Sequence, residues 1–416
     1  MRVLPVAAMP ASLEPFLSPY RGLPPHAWIQ AVAGLVNRAG GAAKMFLPLY
    51  LRETVGLSIE QVGWLLATYG AGLLLGAYLF GSLSDRLAPR RVMTLCFVGN
   101  GLSLLLLAGS WPVPLVAVWL VLSGLFEGGM RPVNQRLLLE SCEPAIRPRA
   151  HGLYRVLINL GWAIGGLVSG LAAGWDYRAV FIGDGLATFL ALAWFHYGYR
   201  RWPQPETAAT ATEVTAAPKD GGSPWRDPAF LLLMASCLAL AMAYDQMYGM
   251  FGTFLREHYR LAPIWFGALF TLNGTLIVLC QGLVSNWVSR LGLWRAASWG
   301  TVLMTFCWLL LPLGQGATTA VLVMVLLTIG EMLHSPAEIS LVMQLSEGRA
   351  RGRYLGIYMA VWGGRTLIAP AVGAQLYSRF GPTTLWLACA GCGVLSLLLR
   401  RAVQRRVECD RSHQAG

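Results

Sequence analysis

The sequence is poor in charge. Only 12% of its 416 residues are Asp, Glu, Lys or Arg, whereas an ordinary soluble domain carries about a quarter. With 56% hydrophobic residues and a mean hydropathy of +0.53, the chain has too little polar surface to wrap a single water-exposed core, which excludes a plain soluble domain. It also lacks a cysteine framework. The eight cysteines show no paired spacing beyond Cys389 and Cys392, and that C-x-x-C lies inside an apolar run with no second pair, so a zinc or redox site is excluded. No G-x-x-x-x-G-K-[ST] loop occurs, which excludes ATP hydrolysis through that loop. Nor does any polar loop carry a nucleophile, base and orienter together. No enzyme activity, metal or cofactor is expected.

What the chain has is long apolar runs. A helix needs roughly 20 apolar residues to cross about 30 Å of hydrocarbon, because each residue advances it about 1.5 Å. Runs of that length fall near residues 28–51, 60–82, 92–110, 113–137, 151–173 and 178–199, then 229–254, 263–288, 296–314, 318–345, 353–378 and 382–400. The expectation is an all-α integral membrane protein with twelve transmembrane helices. Residues 1–27 hold too many prolines for a helix or a secretory signal and read as a cytosolic tail. Residues 200–228, "RRWPQPETAATATEVTAAPKDGGSPWRDP", lack any apolar period and read as a cytosolic linker between two halves, 28–199 and 229–400, with 401–416 as a second tail.

The net charge of +12 could suggest a nucleic-acid partner, but the arginines are spread over many short loops rather than one face. They collect on the side that holds both termini, and the opposite side has only Arg52, Arg178, Arg256, Arg260 and Arg379. Basic residues concentrate on the cytoplasmic side of short loops, so both termini are expected in the cytoplasm of a multi-pass protein of the bacterial inner membrane.

The halves repeat each other. "GLFEGGMRPVNQ" and "TIGEMLHSPAEI" place Glu127 and Glu331 204 residues apart, and Pro132 and Pro336 likewise. Gly152-Leu153-Tyr154 precedes Gly356-Ile357-Tyr358 by the same spacing. Two similar six-span halves are a transporter plan in which the halves rock about a site near the bilayer midplane.

The stretch Gly81-Ser82-Leu83-Ser84-Asp85-Arg86-Leu87-Ala88-Pro89-Arg90-Arg91 resembles the loop between the second and third spans of the major facilitator superfamily, with Ala88 in place of a second glycine. The resemblance covers nearly all of the chain, from about Trp28 to Arg400, and implies the major facilitator fold with two pseudo-symmetric halves. It also implies a gating role for Gly81, Asp85, Arg86, Arg90 and Arg91. Gly81 would permit close helix approach, while Asp85 and the arginines would bond to helix ends of the other half. In the fifth span Gly152, Gly161, Gly165, Gly166, Ser169 and Gly170 are similar to the glycine-rich pattern of the superfamily's proton-coupled drug antiporters, with Gly166 where proline is usual and Ser169 where glycine is usual. Gly161 and Gly165 are thereby implicated in a hinge or seal.

Ionisable groups inside a membrane are costly and by default functional. Counting about 1.5 Å per residue, Arg38 lies roughly 15 Å into the first span and Arg365 roughly 18 Å into the eleventh, both near the midplane. Glu127 and Glu331 lie slightly to the cytosolic side. In the superfamily, spans one, four, seven and ten line the cavity, which would gather Arg38, Glu127 and Glu331. Glu127 and Arg131 are placed to pair along one helix face. Candidate proton carriers are therefore Glu127 and Glu331, with Asp245 and Glu338 near their span ends as further candidates. Candidate substrate contacts are Asn37, Arg38, Arg131, Asn159 and Arg365. Asp184 reads as close to the outer surface, and His334 lies one turn from both Glu331 and Glu338.

These readings converge on a secondary transporter that moves a small amphipathic solute outward in exchange for protons, with solute, protons and lipid as its partners and no obligate protein partner. The alternative of the same fold is a carrier of an anionic metabolite, by proton symport or as exporter of a self-made product such as a metal chelator. A channel or membrane receptor could share the hydropathy, but neither needs two repeated halves.

Overall fold

Proline decides where many helices of the computed structural model begin, and apolar length decides how far they run. Pro25, Pro89, Pro228, Pro263 and Pro382 each open a helix, where a missing N–H leaves no hydrogen bond unmade. The structure describes residues 20–40, 42–203, 223–347 and 351–415. The expectations for the tail 1–19, for linker residues 204–222 and for Arg2, Lys219 and Arg349 lie outside these residues.

The chain packs as two units. The first contains residues 1–46 and 71–212. Its helices are α1 (Pro25–Ala39), the start of α2 (Ala43–Leu49), the later part of α3 (Ile59–Arg86), α4 (Pro89–Leu107), α5 (Val113–Ser141), α6 (Arg147–Ala173) and α7 (Tyr177–Arg201). Helix α1 packs on α6 and α7, and α4 on α5 and α7. Ile29, Phe97, Val133 and Phe195 fill the core between them.

The second unit contains residues 47–70 and 213–416. It holds a π-helical turn at Tyr50–Thr54, the start of α3, α8 (Pro228–Tyr244), a 3-10 turn at Asp245–Met247 and α9 (Phe251–Glu257). These are followed by α10 (Pro263–Leu291), α11 (Leu293–Leu313), α12 (Gly316–Leu345), α13 (Arg351–Phe380) and α14 (Pro382–Ala415). Here α8 packs on α13 and α14, and α11 on α12 and α14, the same neighbour pattern as in the first unit. Phe230, Leu233, Leu341 and Tyr354 occupy its core. Helix α14 runs on to Ala415, well beyond the end expected from its apolar run at residue 400.

Among the described residues eleven helices are long and apolar enough to cross a membrane. The remaining crossing is the first, split into α1 and α2, so the fold is twelve crossings in two similar sets of six. The seventh crossing is split as well, between α8 and α9. The apolar runs 28–51 and 229–254 read as continuous helices in the sequence, and both are interrupted.

Candidate functional site

In the first unit the break follows Ala39. A Cβ on Gly40 would overlap Ala187, so only glycine lets the chain pass α7 here. Where the helix restarts, freed backbone groups need partners, because no water is at hand inside a bilayer. The Ala42 N–H donates to Ser169 Oγ at 2.7 Å and the Ala43 N–H to Asp184 Oδ2 at 3.2 Å. The serine that departs from the antiporter-like glycine pattern thus repairs the first crossing. Asp184, half-buried, does the same from α7.

Arg38 ends α1, in its last turn, where a cation is favoured by the helix dipole. Its Nη1 donates to Glu127 Oε1 at 2.8 Å, and its guanidinium lies 4.8 Å from the centre of the Trp162 ring. The side chains are 23% and 16% exposed, partly desolvated yet open to exchange. Gly161 makes the arrangement possible: a Cβ there would come within 2.8 Å of Arg38 Cβ and 2.9 Å of the Leu35 carbonyl. The expected intrahelical pairing of Glu127 with Arg131 is replaced by this bond between helices, and Arg131 is exposed. Asn37 is tied to α7. It is 6% exposed and donates to Thr188 Oγ1 at 2.9 Å, while Thr188 donates to the Asp184 carbonyl. Asn159 is half-buried, and Gly165 is buried on α6.

In the second unit the break begins at Asp245. This residue reads in the sequence as a span-end acid open to solvent, but its side chain is 3% exposed and accepts a 2.9 Å bond from Arg365 Nε. The Arg365 guanidinium lies 4.6 Å from the Trp362 ring centre and 5.3 Å from that of Tyr244. Gln246, within the 3-10 turn, donates to the Ala369 carbonyl at 2.7 Å and so ties the break to α13. Glu331 lies within electrostatic reach of the Tyr244 and Tyr248 phenols.

Glu338 also departs from its expected solvated position. It is fully buried, with Oε1 accepting from Arg400 Nη2 at 3.1 Å and Oε2 lying 2.9 Å from His334 Nε2. Arg400 in turn donates to Thr301 Oγ1 at 3.0 Å. The triad clamps α11, α12 and α14, and it shares no bonded partner with the Asp245–Arg365 pair. It forms because Arg400, the last residue of the twelfth apolar run, stays inside the bundle on the extended α14.

The charged turn that resembles the gating loop is mostly helical. Helix α3 continues through Arg86, and only Leu87 and Ala88 separate it from α4. Asp85 bonds Arg136 on α5 of its own unit, and Arg136 Nε also holds Glu140 at 3.1 Å. The partner expected in the other half is replaced by one in the same half. Arg90 lies 4.2 Å from the Tyr199 ring centre. Gly81 does not mark the close approach, since a Cβ there would meet Pro132 at an ordinary 3.8 Å. The tight contacts of α3 with α5 occur at Gly72, Gly76 and Gly128, where a Cβ would strike the carbonyls of Val121, Leu125 and Leu73. Arg136 escaped the sequence reading, although its i,i+4 spacing to Glu140 marks a paired helical arginine.

Residues 31–362 match the family model of the Major Facilitator Superfamily. The chain belongs to the major facilitator superfamily. It is 24% identical over 394 residues to the uncharacterized MFS-type transporter YttB of Bacillus subtilis, covering 91% of this chain and 95% of the relative. It is 29% identical over 177 residues to multidrug resistance protein MdtG of Proteus mirabilis, covering 40% and 42% of the two. Among solved structures, peptide transporter POT in complex with sulfate is similar with a TM-score of 0.75 at 17% identity, over 94% of this chain and 95% of that one. A nucleoside transporter NupG variant gives 0.73 at 12% identity, over 91% and 99%. This superfamily member is a multi-pass membrane transporter and not an enzyme.

Proposed function

We propose that the protein is a proton-coupled exporter of small amphipathic solutes that works by alternating access, with both termini in the cytoplasm of a bacterial inner membrane. The observation that carries this reading is the Arg38–Glu127 ion pair beside Trp162, near midplane depth in the first half. In the ion pair the Glu127 carboxylate is deprotonated. A proton on Glu127 dissolves the pair and frees Arg38, so proton and solute compete through one contact. Glu331 and Asp245, the latter bonded to Arg365, are the acids of the second half available for the same task, and Glu338 is held back in its triad. Trp162 and Trp362 offer flat faces to an amphipathic ring. Arg131 and Asn159 complete the candidate solute contacts, and Gly161 with the Asp85–Arg136 pair supports the change of state.

The test is uphill movement of an amphipathic cationic dye, ethidium, in proteoliposomes with an imposed pH gradient. Glu127→Gln should abolish pH-driven accumulation while dye-for-dye exchange continues. Undiminished uphill transport by this variant would remove Glu127 from coupling. One observation favours the second reading, a carrier of anionic metabolites: each half presents an arginine over a tryptophan ring, an arrangement that suits a carboxylate on a planar solute. Competition of ethidium transport by benzoate rather than by uncharged rings would favour that reading.

A further inference from the structure

Residues 51–57 and 255–261 form the same turn at the 204-residue spacing of the repeat. In each copy the last N–H donates to the first carbonyl at 3.1 Å, from Leu57 to Leu51 and from Leu261 to Leu255. The residue just before that donor takes left-handed backbone. The first copy has Gly56 there, φ 78°, whereas the second has Arg260, φ 54°. Among the described residues Arg260 is the one non-glycine residue with positive φ. A Cβ makes this conformation unfavourable, and strain of this kind persists where the side chain is needed for something else. Packing does not supply the need, because the Arg260 guanidinium has no ion pair or hydrogen bond among the described residues.

Arg260 lines a cavity of about 540 Å³ in the second unit, formed by the turns that join α9 to α10, α11 to α12 and α13 to α14. Phe254 and Tyr259 give it an apolar wall. That wall is fixed in place: the Tyr259 OH donates to the Leu311 carbonyl at 2.6 Å, and His258 stacks on Phe254 with ring centres 5.0 Å apart. His258, Gln315 and Thr383 line the cavity with Arg260, and their side-chain donors have no hydrogen-bond partner among the described residues. No Asp or Glu lines it. Helices α12 and α14 begin on its wall, so their positive ends add to the charge of Arg260.

A cavity of this size takes a small organic molecule rather than a bare ion. Its four polar side chains can all donate, they come from three turns, and the only formal charge among them is positive. A tetrahedral oxyanion accepts bonds from several directions at once, whereas the two oxygens of a carboxylate lie in one plane. We propose that this cavity binds a phosphate group joined to a compact apolar body, with the Arg260 fork on two phosphate oxygens and the body against Phe254 and Tyr259. Two sources present the same oxygens, a soluble phosphate monoester and the headgroup phosphate of an anionic lipid. The site shares no residue with the Arg38–Glu127 or Asp245–Arg365 pair, so it stands or falls separately from proton coupling.

Phenyl phosphate is the probe, and no transport is needed. Calorimetric titration of the full chain in phosphatidylcholine nanodiscs, in phosphate-free buffer, should show one saturable site. Arg260→Gln should weaken it about tenfold or more, the loss usual for a charge-assisted bond. Arg260→Gly should weaken it as much while the thermal midpoint holds or rises, since glycine adopts the left-handed turn freely. Replacing part of the phosphatidylcholine by phosphatidylglycerol separates the two sources, at about 1 M salt where the Debye length is roughly 3 Å and surface charge is screened. A lipid ligand competes and lowers the apparent affinity for phenyl phosphate; a soluble ester as the ligand leaves that affinity unchanged. Absence of saturable binding, or binding undiminished in Arg260→Gln and Arg260→Gly, overturns the site. A midpoint lowered by Arg260→Gly would make the arginine a structural brace and overturn it equally.

Discussion

The two halves solve one problem with the roles reversed. In the first, the arginine, Arg38, sits on the interrupted helix and its carboxylate, Glu127, comes from α5. In the second, the carboxylate, Asp245, sits at the interruption and the arginine, Arg365, comes from α13. Arg365 stands at the repeat position of Gly161, the residue whose missing side chain admits Arg38. Duplication therefore preserved an interrupted helix, an ion pair and a tryptophan, while the residues that supply them diverged. The burial diverged with them, since Glu127 keeps 16% of its side chain exposed and Asp245 only 3%. A pair near water can exchange partners; a pair away from water mainly holds the helix break closed.

Removing each carboxylate should break the comparison most visibly. Asp245→Ala leaves Arg365 charged and enclosed, which should cost about 3–5 kcal/mol of stability. Glu127→Ala leaves Arg38 with access to water and should cost about 1 kcal/mol after screening. Thermal midpoints of the two variants in detergent check this, and equal losses would mean that the two pairs do the same work. Next in size, Ser169→Ala leaves the Ala42 N–H without its acceptor, at about 1–3 kcal/mol. Hydrogen exchange should quicken at Ala42 and Ala43 while the Asp245 break keeps its protection, and equal quickening at both breaks would contradict the assignment. The smallest effect separates the aromatic shelves. Trp162→Leu should weaken ethidium affinity about two- to fivefold. Trp362→Leu should weaken it less, because Tyr244 still lies against Arg365. A larger loss from Trp362→Leu would reverse the ranking of the two sites.

Hydropathy and the repeat made the crossings and the two halves legible, because a bilayer demands about 20 apolar residues whatever their identity. Arg38, Glu127 and Arg365 were legible as well, since intramembrane charge is rare enough to stand out. Their partners were not. Depth along a helix places a residue at a level but gives no azimuth, so Glu127 was matched with Arg131 on its own helix although Arg38 stands across from it. The helix breaks were hidden for a related reason. Gly40 lies in a run that stays apolar on both sides, and the groups that stabilise the break, Ser169 and Asp184, are more than a hundred residues away in the chain. Gly81 belonged to the more conspicuous motif, yet Gly72, Gly76 and Gly128 carry the close packing; spacing cannot tell which glycine meets a carbonyl.

The interruption of the first crossing also bears on how the protein is made. α1 and α2 leave the ribosome before α5, α6 and α7, carrying Arg38 and the open N–H groups of Ala42 and Ala43. Their acceptors arrive only with the fourth, fifth and sixth crossings, in the order Glu127, Ser169, Asp184. Until then hydrocarbon is a poor place for this segment, which must wait beside the translocon or in the headgroup layer. The first crossing thus settles after helices that follow it in the chain, and membrane insertion of the first half becomes complete only when its sixth helix has emerged.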